Sequence, residues 1–224
     1  SVYAVTFETK LHPKADLPQA QRVAKEAGAI HHVIYVNELD NEEMLNNPEN
    51  RCYLCKKYLF QNLLAFAAEK GIDTIMEGNN ADDLHAYRPG TKAVKELGVL
   101  SPLAELGITK AQVREIAADM GLSCASRPSS PCLATRLTYG TPISFELLER
   151  VDTGEQWMKE QGFPIVRLRV HGDILRIEIE KERFADFIAM SDQITAKMKE
   201  LGFAYITLDA EGFRSGSMDV HIVK

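Results

Sequence analysis

The sequence has no apolar run approaching the roughly 20 residues that a membrane-spanning helix needs. No basic-then-apolar segment opens it, so nothing marks it for export. Without an export signal the expected compartment is the cytosol, where structural disulfides are rare. It has no surplus of positive charge. A net charge of −6 argues against a general nucleic-acid binder, which is usually basic. Internal repeats and low-complexity runs are absent too. Cysteine is scarce, and the placing of the four present therefore carries information.

What is present suits a globular protein. The 224 residues, 45% hydrophobic and 26% charged, are enough for one large domain or two small ones with a sizeable core. "SVYAVTF" has the composition of a strand. "LPQAQRVAKEAGA" reads as a helix stopping near Gly28, and "HHVIYV" as a second strand. "YLCKKYLFQNLLAFAAEKG" carries Leu59, Leu63, Phe66 and Ala67 at helical spacing and ends at Gly71. "DTIMEG" reads as a third strand. This β-α-β-α-β order predicts a doubly wound parallel sheet, α/β in class. Ligands of such sheets bind beyond the carboxyl ends of the strands, here "ETKLHP", "NELDN" and "EGNNADD".

In "ITKAQVREIAADMG", Thr109 and Gln112 form an expected capping box and Gly121 a stop. Three regions are expected: an α/β domain over 1–122, a functional loop over 123–143, and a smaller α+β domain over 144–224. The loop is rich in Ser, Pro and Gly without a period. The last region reads helix, strand, strand, helix, strand, with a hairpin at His171–Gly172–Asp173.

Chemistry concentrates at four places. Cys52 and Cys55, in "RCYLCKK", stand three apart at a helix start and share a face. The helix N-terminus and the adjoining lysines favour thiolates, the form that binds soft metals and attacks sulfur. The plainer alternative is that they are small buried residues. A structural zinc site wants four ligands, whereas Cys52, Cys55 and Cys132 alone would leave one iron of a four-iron cluster open; the cysteines do not choose between these. In "MEGNNADD", Gly78 permits close approach of a ligand to the backbone. Asn79 and Asn80 can donate and accept, and Asp82 and Asp83 suit magnesium through water. An ordinary polar loop is the alternative. "VRLRVH" alternates, with Arg167 and Arg169 on one face, shaped for carboxylates or phosphates or else forming a solvated face with Arg176 and Glu178 across the hairpin supplying ion pairs. "GFRSGS" sets Arg214 between small residues, another anion-loop pattern.

Together "NPENRCYLCKKYLF", "EGNNADDLHAYRPG", "SPLAELGITKAQVREIA", "PSSPCLATRLTYGTPI", "VRLRVH" and "LDAEGFRSGSM" resemble the LarE-type ATP-dependent sulfur transferases. These belong to the PP-loop ATP pyrophosphatases (adenine nucleotide alpha hydrolase-like). The resemblance runs over nearly the whole chain in the same motif order. It implies a sulfur transferase that adenylylates a pyridinium dicarboxylate mononucleotide and installs sulfur at the activated carboxyl, in nickel-pincer nucleotide biosynthesis. It implies ATP and magnesium at Gly78, Asn79, Asp82 and Asp83, and substrate anions at Arg167, Arg169, Arg214 and Asp186. It also implies catalytic roles for Cys132, Glu155 and Arg136. Cys52, Cys55 and Cys132 match the members thought to hold a 4Fe–4S cluster whose open iron carries sulfide from a sulfur donor. A homo-oligomer without nucleic-acid or membrane partners is expected.

The family's Ser-Gly-Gly-x-Asp-Ser pyrophosphate loop does not occur in this sequence, which opens at what would be the family's second strand. The expectation is a nucleotide-binding domain incomplete at its N-terminus. Two competing readings remain: a non-catalytic zinc- or nucleotide-binding fragment, and a PP-loop enzyme that thiolates tRNA.

Overall fold

The computed structural model of the chain describes residues 1–86 and 88–220. The chain divides into two compact units, Ser1–Ser130 and Pro131–Lys224. No described helix is long and apolar enough to cross a membrane.

The first unit opens with β1 (Tyr3–Glu8), α1 (Asp16–Glu26) and β2 (Ile30–Tyr35). The strands are parallel, paired from Tyr3 with Ile30 to Glu8 with Tyr35. α1 has Asp16 in its first turn and Lys25 in its last, each charge complementing the helix dipole. A connection with two short 3-10 turns, Glu38–Asp40 and Glu42–Met44, leads to α2 (Arg51–Glu69). α2 supplies Leu59 and Phe60 to a core shared with Val94 and Val99, against which Phe7, Cys55 and Ile75 pack. α3 (Gly90–Glu96), α4 (Pro102–Glu105) and α5 (Lys110–Asp119) complete the unit. α5 starts at the expected Thr109–Gln112 capping box.

The expected doubly wound sheet is not seen. Among the described residues this unit has only the two-stranded β1–β2 sheet. The "DTIMEG" segment makes a single parallel bridge, Met76 with Leu100, closed by Glu77 N–H to Leu100 O and Leu100 N–H to Ile75 O, both 2.9 Å. Its composition suits a strand, but a strand also needs a ladder partner, and the one it finds is one residue long. Its Met76 side chain is left 61% exposed, where a doubly wound sheet buries both faces.

The second unit has the expected helix, strand, strand, helix, strand order. It comprises α6 (Phe145–Glu160), β3 (Val166–His171), β4 (Ile174–Ile179), α7 (Phe184–Ala189), α8 (Ser191–Glu200) and β5 (Tyr205–Leu208). The Ser144 side chain caps α6 by accepting from Leu147 N–H. β3 and β4 form the expected hairpin across Gly172 and Asp173, and β5 lies parallel to β4. Leu148, Val151, Met158, Leu168, Ile177, Ile179, Ile194 and Met198 fill the core. Gly154 lets α6 approach β3: a Cβ there would stand 2.5 Å from Leu168 Cδ1.

Candidate functional site

The second unit carries a dense buried lattice of charge. Cys132 precedes a short 3-10 turn, Leu133–Arg136. Arg136 points inward from it and grips Glu155 of α6 with two parallel bonds, Nε to Oε1 and Nη2 to Oε2, both 2.8 Å. Each side chain is about 1% exposed. Arg136 Nη1 also donates to the carbonyls of Pro131 and Cys132, at 3.0 and 3.2 Å. Glu155 Oε1 accepts from Leu168 N–H of β3 at 3.0 Å. One ion pair thus ties the cysteine segment, α6 and the hairpin together. Burial alone would raise the Glu155 carboxyl; the bonds and charge of Arg136, the Leu168 N–H and the charge of Arg167 hold it below the ordinary range.

β3 turns Arg167 and Arg169 to one face, as the alternation predicts, but that face is not solvated: they are 7% and 5% exposed. Arg169 donates to Glu178 at 3.1 Å and to Thr135 O at 2.9 Å. It is paired across the strands with Arg176. Glu178, fully buried, keeps these two like charges apart by also accepting from Arg176 at 3.0 Å. Arg176 and Arg214 share Asp209, at 3.2 and 3.3 Å. The guanidinium of Arg167 lies 5.3 Å from the Phe213 ring centre. Burial lowers the pKa values of both Arg167 and Arg169; Arg136 adds to this for Arg167, and Glu178 opposes it for Arg169. Arg136, Arg167, Arg169 and Arg214 therefore fall in one unit with Cys132 and Glu155. Asp186 belongs to the same unit but lies outside the buried lattice, exposed on α7 in an ion pair with Arg183 at 3.0 Å. Glu178, Arg176 and Asp209 were not among the expected site residues. The signal for the first two was their place opposite the β3 arginines.

In the first unit Cys52 and Cys55 fall in the opening turns of α2, as expected. Cys52 is exposed and Cys55 half-buried, and none of the four cysteines is in a disulfide. Arg51 is buried, donates to Asn47 Oδ1 and places Nη2 3.7 Å from Cys52 Sγ. Among the described residues of either unit no three His, Cys, Asp or Glu side chains gather as a metal ion requires.

The "EGNNADD" loop is shaped by its own polar groups. Asn80 and Asp83 form a reciprocal capping box around Ala81–Leu84, for which Asn-x-x-Asp is the sequence signal. Asp83 also pairs with Arg88 at 2.7 Å, and Asp82 accepts from Lys110 N–H at the start of α5 at 2.9 Å. Asn79 N–H and the Ser101 hydroxyl both donate to Glu77. Gly78 is open: a Cβ there would meet nothing within 4 Å. Tyr87 of this motif lies outside the described residues. An open cleft of about 540 Å³ lies elsewhere, at "ETKLHP", and its lining includes Thr9, His12, Asp16, Cys124 and Arg127. Burial lowers the His12 pKa against the pull of Asp16 and Glu8.

No family model matches the chain. Three curated proteins are similar to it over most of its length. An uncharacterized protein of Synechocystis is 38% identical over 211 residues, 93% of this chain and 79% of the relative. The pyridinium-3,5-bisthiocarboxylic acid mononucleotide synthase of Lactiplantibacillus plantarum is 34% identical over 224 residues, 100% of this chain and 81% of the relative. An uncharacterized protein of Methanocaldococcus jannaschii is 31% identical over 174 residues, 78% of this chain and 68% of the relative.

Proposed function

The chain belongs to the family of the pyridinium-3,5-bisthiocarboxylic acid mononucleotide synthase, and from that premise we propose that it is an ATP-dependent sulfur transferase acting on a pyridinium dicarboxylate mononucleotide. The observation that carries this reading is the bracing of the Cys132 segment against an arginine-rich hairpin within one unit. A carboxylate is a poor electrophile. Transfer of AMP to it from ATP, with loss of pyrophosphate, turns the carboxyl oxygen into a leaving group. Sulfur then adds at that carbon and AMP departs, leaving a thiocarboxylate.

A substrate with two carboxylates and a phosphate needs several fixed cations. Arg167, Arg169 and Arg214 fit that need, because a guanidinium presents paired N–H groups to each anion. Arg136 and Glu155 act on the Cys132 backbone: the bonds to the Pro131 and Cys132 carbonyls fix where that cysteine's thiol is presented. Asp186 is assigned to the substrate's periphery by resemblance. Gly78, Asn79, Asp82 and Asp83 are assigned to ATP and magnesium on the same ground.

Cys52, Cys55 and Cys132 are proposed as the thiolates of a 4Fe–4S cluster. The donor set fits: two thiols one helical turn apart, one of them exposed beside a guanidinium. When bound, such a cluster supplies an open iron for sulfide. The full-length protein, reconstituted without oxygen, should release AMP only when both ATP and the pyridinium dicarboxylate mononucleotide are present. AMP release that ignores this substrate, or tight salt-sensitive binding of tRNA, would favour the tRNA-thiolating alternative.

A further inference from the structure

The two arginines best suited to hold the substrate's anions are sealed from solvent. Arg167 and Arg169 are 7% and 5% exposed, so an anion reaches them only if something moves. The cover is identifiable. The stretch from Phe213 to Asp219 runs across the same side of the hairpin. Phe213 lies against Arg167, its ring centre 5.3 Å from the guanidinium carbon. Met218 Sδ lies 3.5 Å from Arg176 Nη2. Ser217, buried, donates its hydroxyl to Glu178, the carboxylate that holds Arg169 and Arg176. Beyond it, Asp219 accepts from the Tyr139 hydroxyl at 2.8 Å.

The base of this stretch is held by its backbone, whereas its body is irregular. Phe213 N–H bonds Ile179 O at 2.8 Å. Gly212, with φ +72°, packs so closely on β4's end that a Cβ would stand 3.0 Å from Ile179 O. A second glycine with φ +72°, Gly216, lies inside the stretch, where a left-handed backbone comes without steric cost. Past the base, residues 213–219 form no helix or strand and are tied by the Arg214 ion pairs to Asp209 and Glu211, by Asp219 N–H to Gly216 O within the stretch, and by the side-chain bonds of Ser217 and Asp219. A segment without helix or strand hydrogen bonds opens locally at lower cost than a core strand.

We propose that residues 213–219 form a lid over Arg167 and Arg169, latched by Ser217 on Glu178 and by Tyr139 on Asp219, and that the lid lifts to admit the anionic groups of the substrate. The proposal rests on the sulfur-transferase reading only for the identity of the anion. Opening need not disturb Arg169, which Glu178 and the Thr135 carbonyl still orient. The incoming carboxylate or phosphate would take the place of the Phe213 face beside Arg167.

The test is the rate of arginine modification by phenylglyoxal, read residue by residue by peptide mass spectrometry on the intact protein. In the wild type Arg167 and Arg169 should react much more slowly than exposed Arg22. Ser217→Ala removes a hydrogen bond to a charged acceptor and should speed modification of Arg169 on the order of tenfold. Tyr139→Phe should do the same more weakly, and serves alone if Ser217→Ala fails to fold. In the opened variant, pyridine-3,5-dicarboxylate or inorganic phosphate should slow the reaction again. Equal rates for Arg169 and Arg22 in the wild type would overturn the lid. So would rates unchanged by both substitutions, or an opened variant that neither anion protects. The readout needs neither ATP nor sulfur, so failure of the lid and failure of the sulfur-transferase reading are told apart.

Discussion

Arg136 and Glu155 meet in a two-pronged ion pair at 2.8 Å with almost no solvent on either side chain. Both charges lie in the interior, so neither can be removed without stranding the other. The pair also carries backbone: Arg136 holds the carbonyls on either side of the Pro131–Cys132 link, and Glu155 holds the Leu168 N–H. It is better described as a brace that positions Cys132 than as a pair of groups waiting for a proton.

Arg136→Ala or Glu155→Ala should therefore destabilise the second unit by about 3–5 kcal/mol, the cost typical of halving a buried pair. Urea denaturation measures it. The double variant Arg136→Met/Glu155→Leu should recover part of that loss while sulfur transfer stays low, because packing returns but the hold on the Cys132 carbonyl does not.

Glu155 also sets a pH dependence. Its folded pKa is depressed, so its contribution to stability is complete above the unfolded value of about 4.3. That contribution is lost as pH falls further, through the folded pKa. Glu155→Gln should remove this part of the acid dependence. Equilibrium unfolding at a series of pH values from 3 to 7 should show the wild-type and variant curves converging at the acid end.

Glu38 should behave in the opposite sense. Its carboxyl is wholly buried and makes no well-formed hydrogen bond. Burial raises its pKa, with only its own backbone N–H and the Thr9 hydroxyl near enough to oppose. Stability from this site is present below the unfolded pKa and is lost as pH rises through the folded one. Glu38→Met should stabilise the first unit by about 1–3 kcal/mol at pH 8, the usual cost of an unsatisfied buried group, and by less at pH 4. Thermal melts at the two pH values check it.

Much of this arrangement was legible in the sequence. Thr109 with Gln112 announces a capping box because its spacing is local and its chemistry is fixed. The hairpin at His171–Gly172–Asp173 announces itself by alternation on either side of a glycine turn. The facing of Arg167 and Arg169 follows from a period of two. Their burial does not, because it depends on residues distant in sequence, Phe213 against Arg167 and the Thr135 carbonyl against Arg169, and no periodicity records that. The Arg136–Glu155 pair is hidden for the same reason: its partners lie on different elements. "DTIMEG" misled because strand composition is a statement about side chains, whereas a sheet is a statement about which backbones lie side by side. Asn80 and Asp83 carried a readable signal, but carboxylates at a strand end invite a metal reading before a structural one.

For the cysteines, replacing Cys52, Cys55 or Cys132 by Ser should each abolish iron binding after anaerobic reconstitution, while Cys124→Ser should not. Iron and acid-labile sulfide assays decide it. Stoichiometric zinc with no labile sulfide would instead support a non-catalytic zinc-binding role.

The central claim is that sulfur is installed at an activated carboxyl of a pyridinium dicarboxylate mononucleotide. The direct measurement is mass spectrometry of that substrate after incubation with the reconstituted full-length protein, ATP, magnesium and sulfide. The expected product has one carboxyl oxygen replaced by sulfur, forms only with ATP, and is lost in the Cys132→Ser and Arg169→Ala variants. An unmodified substrate, recovered from a protein shown to carry its cluster and to be folded, would contradict the claim.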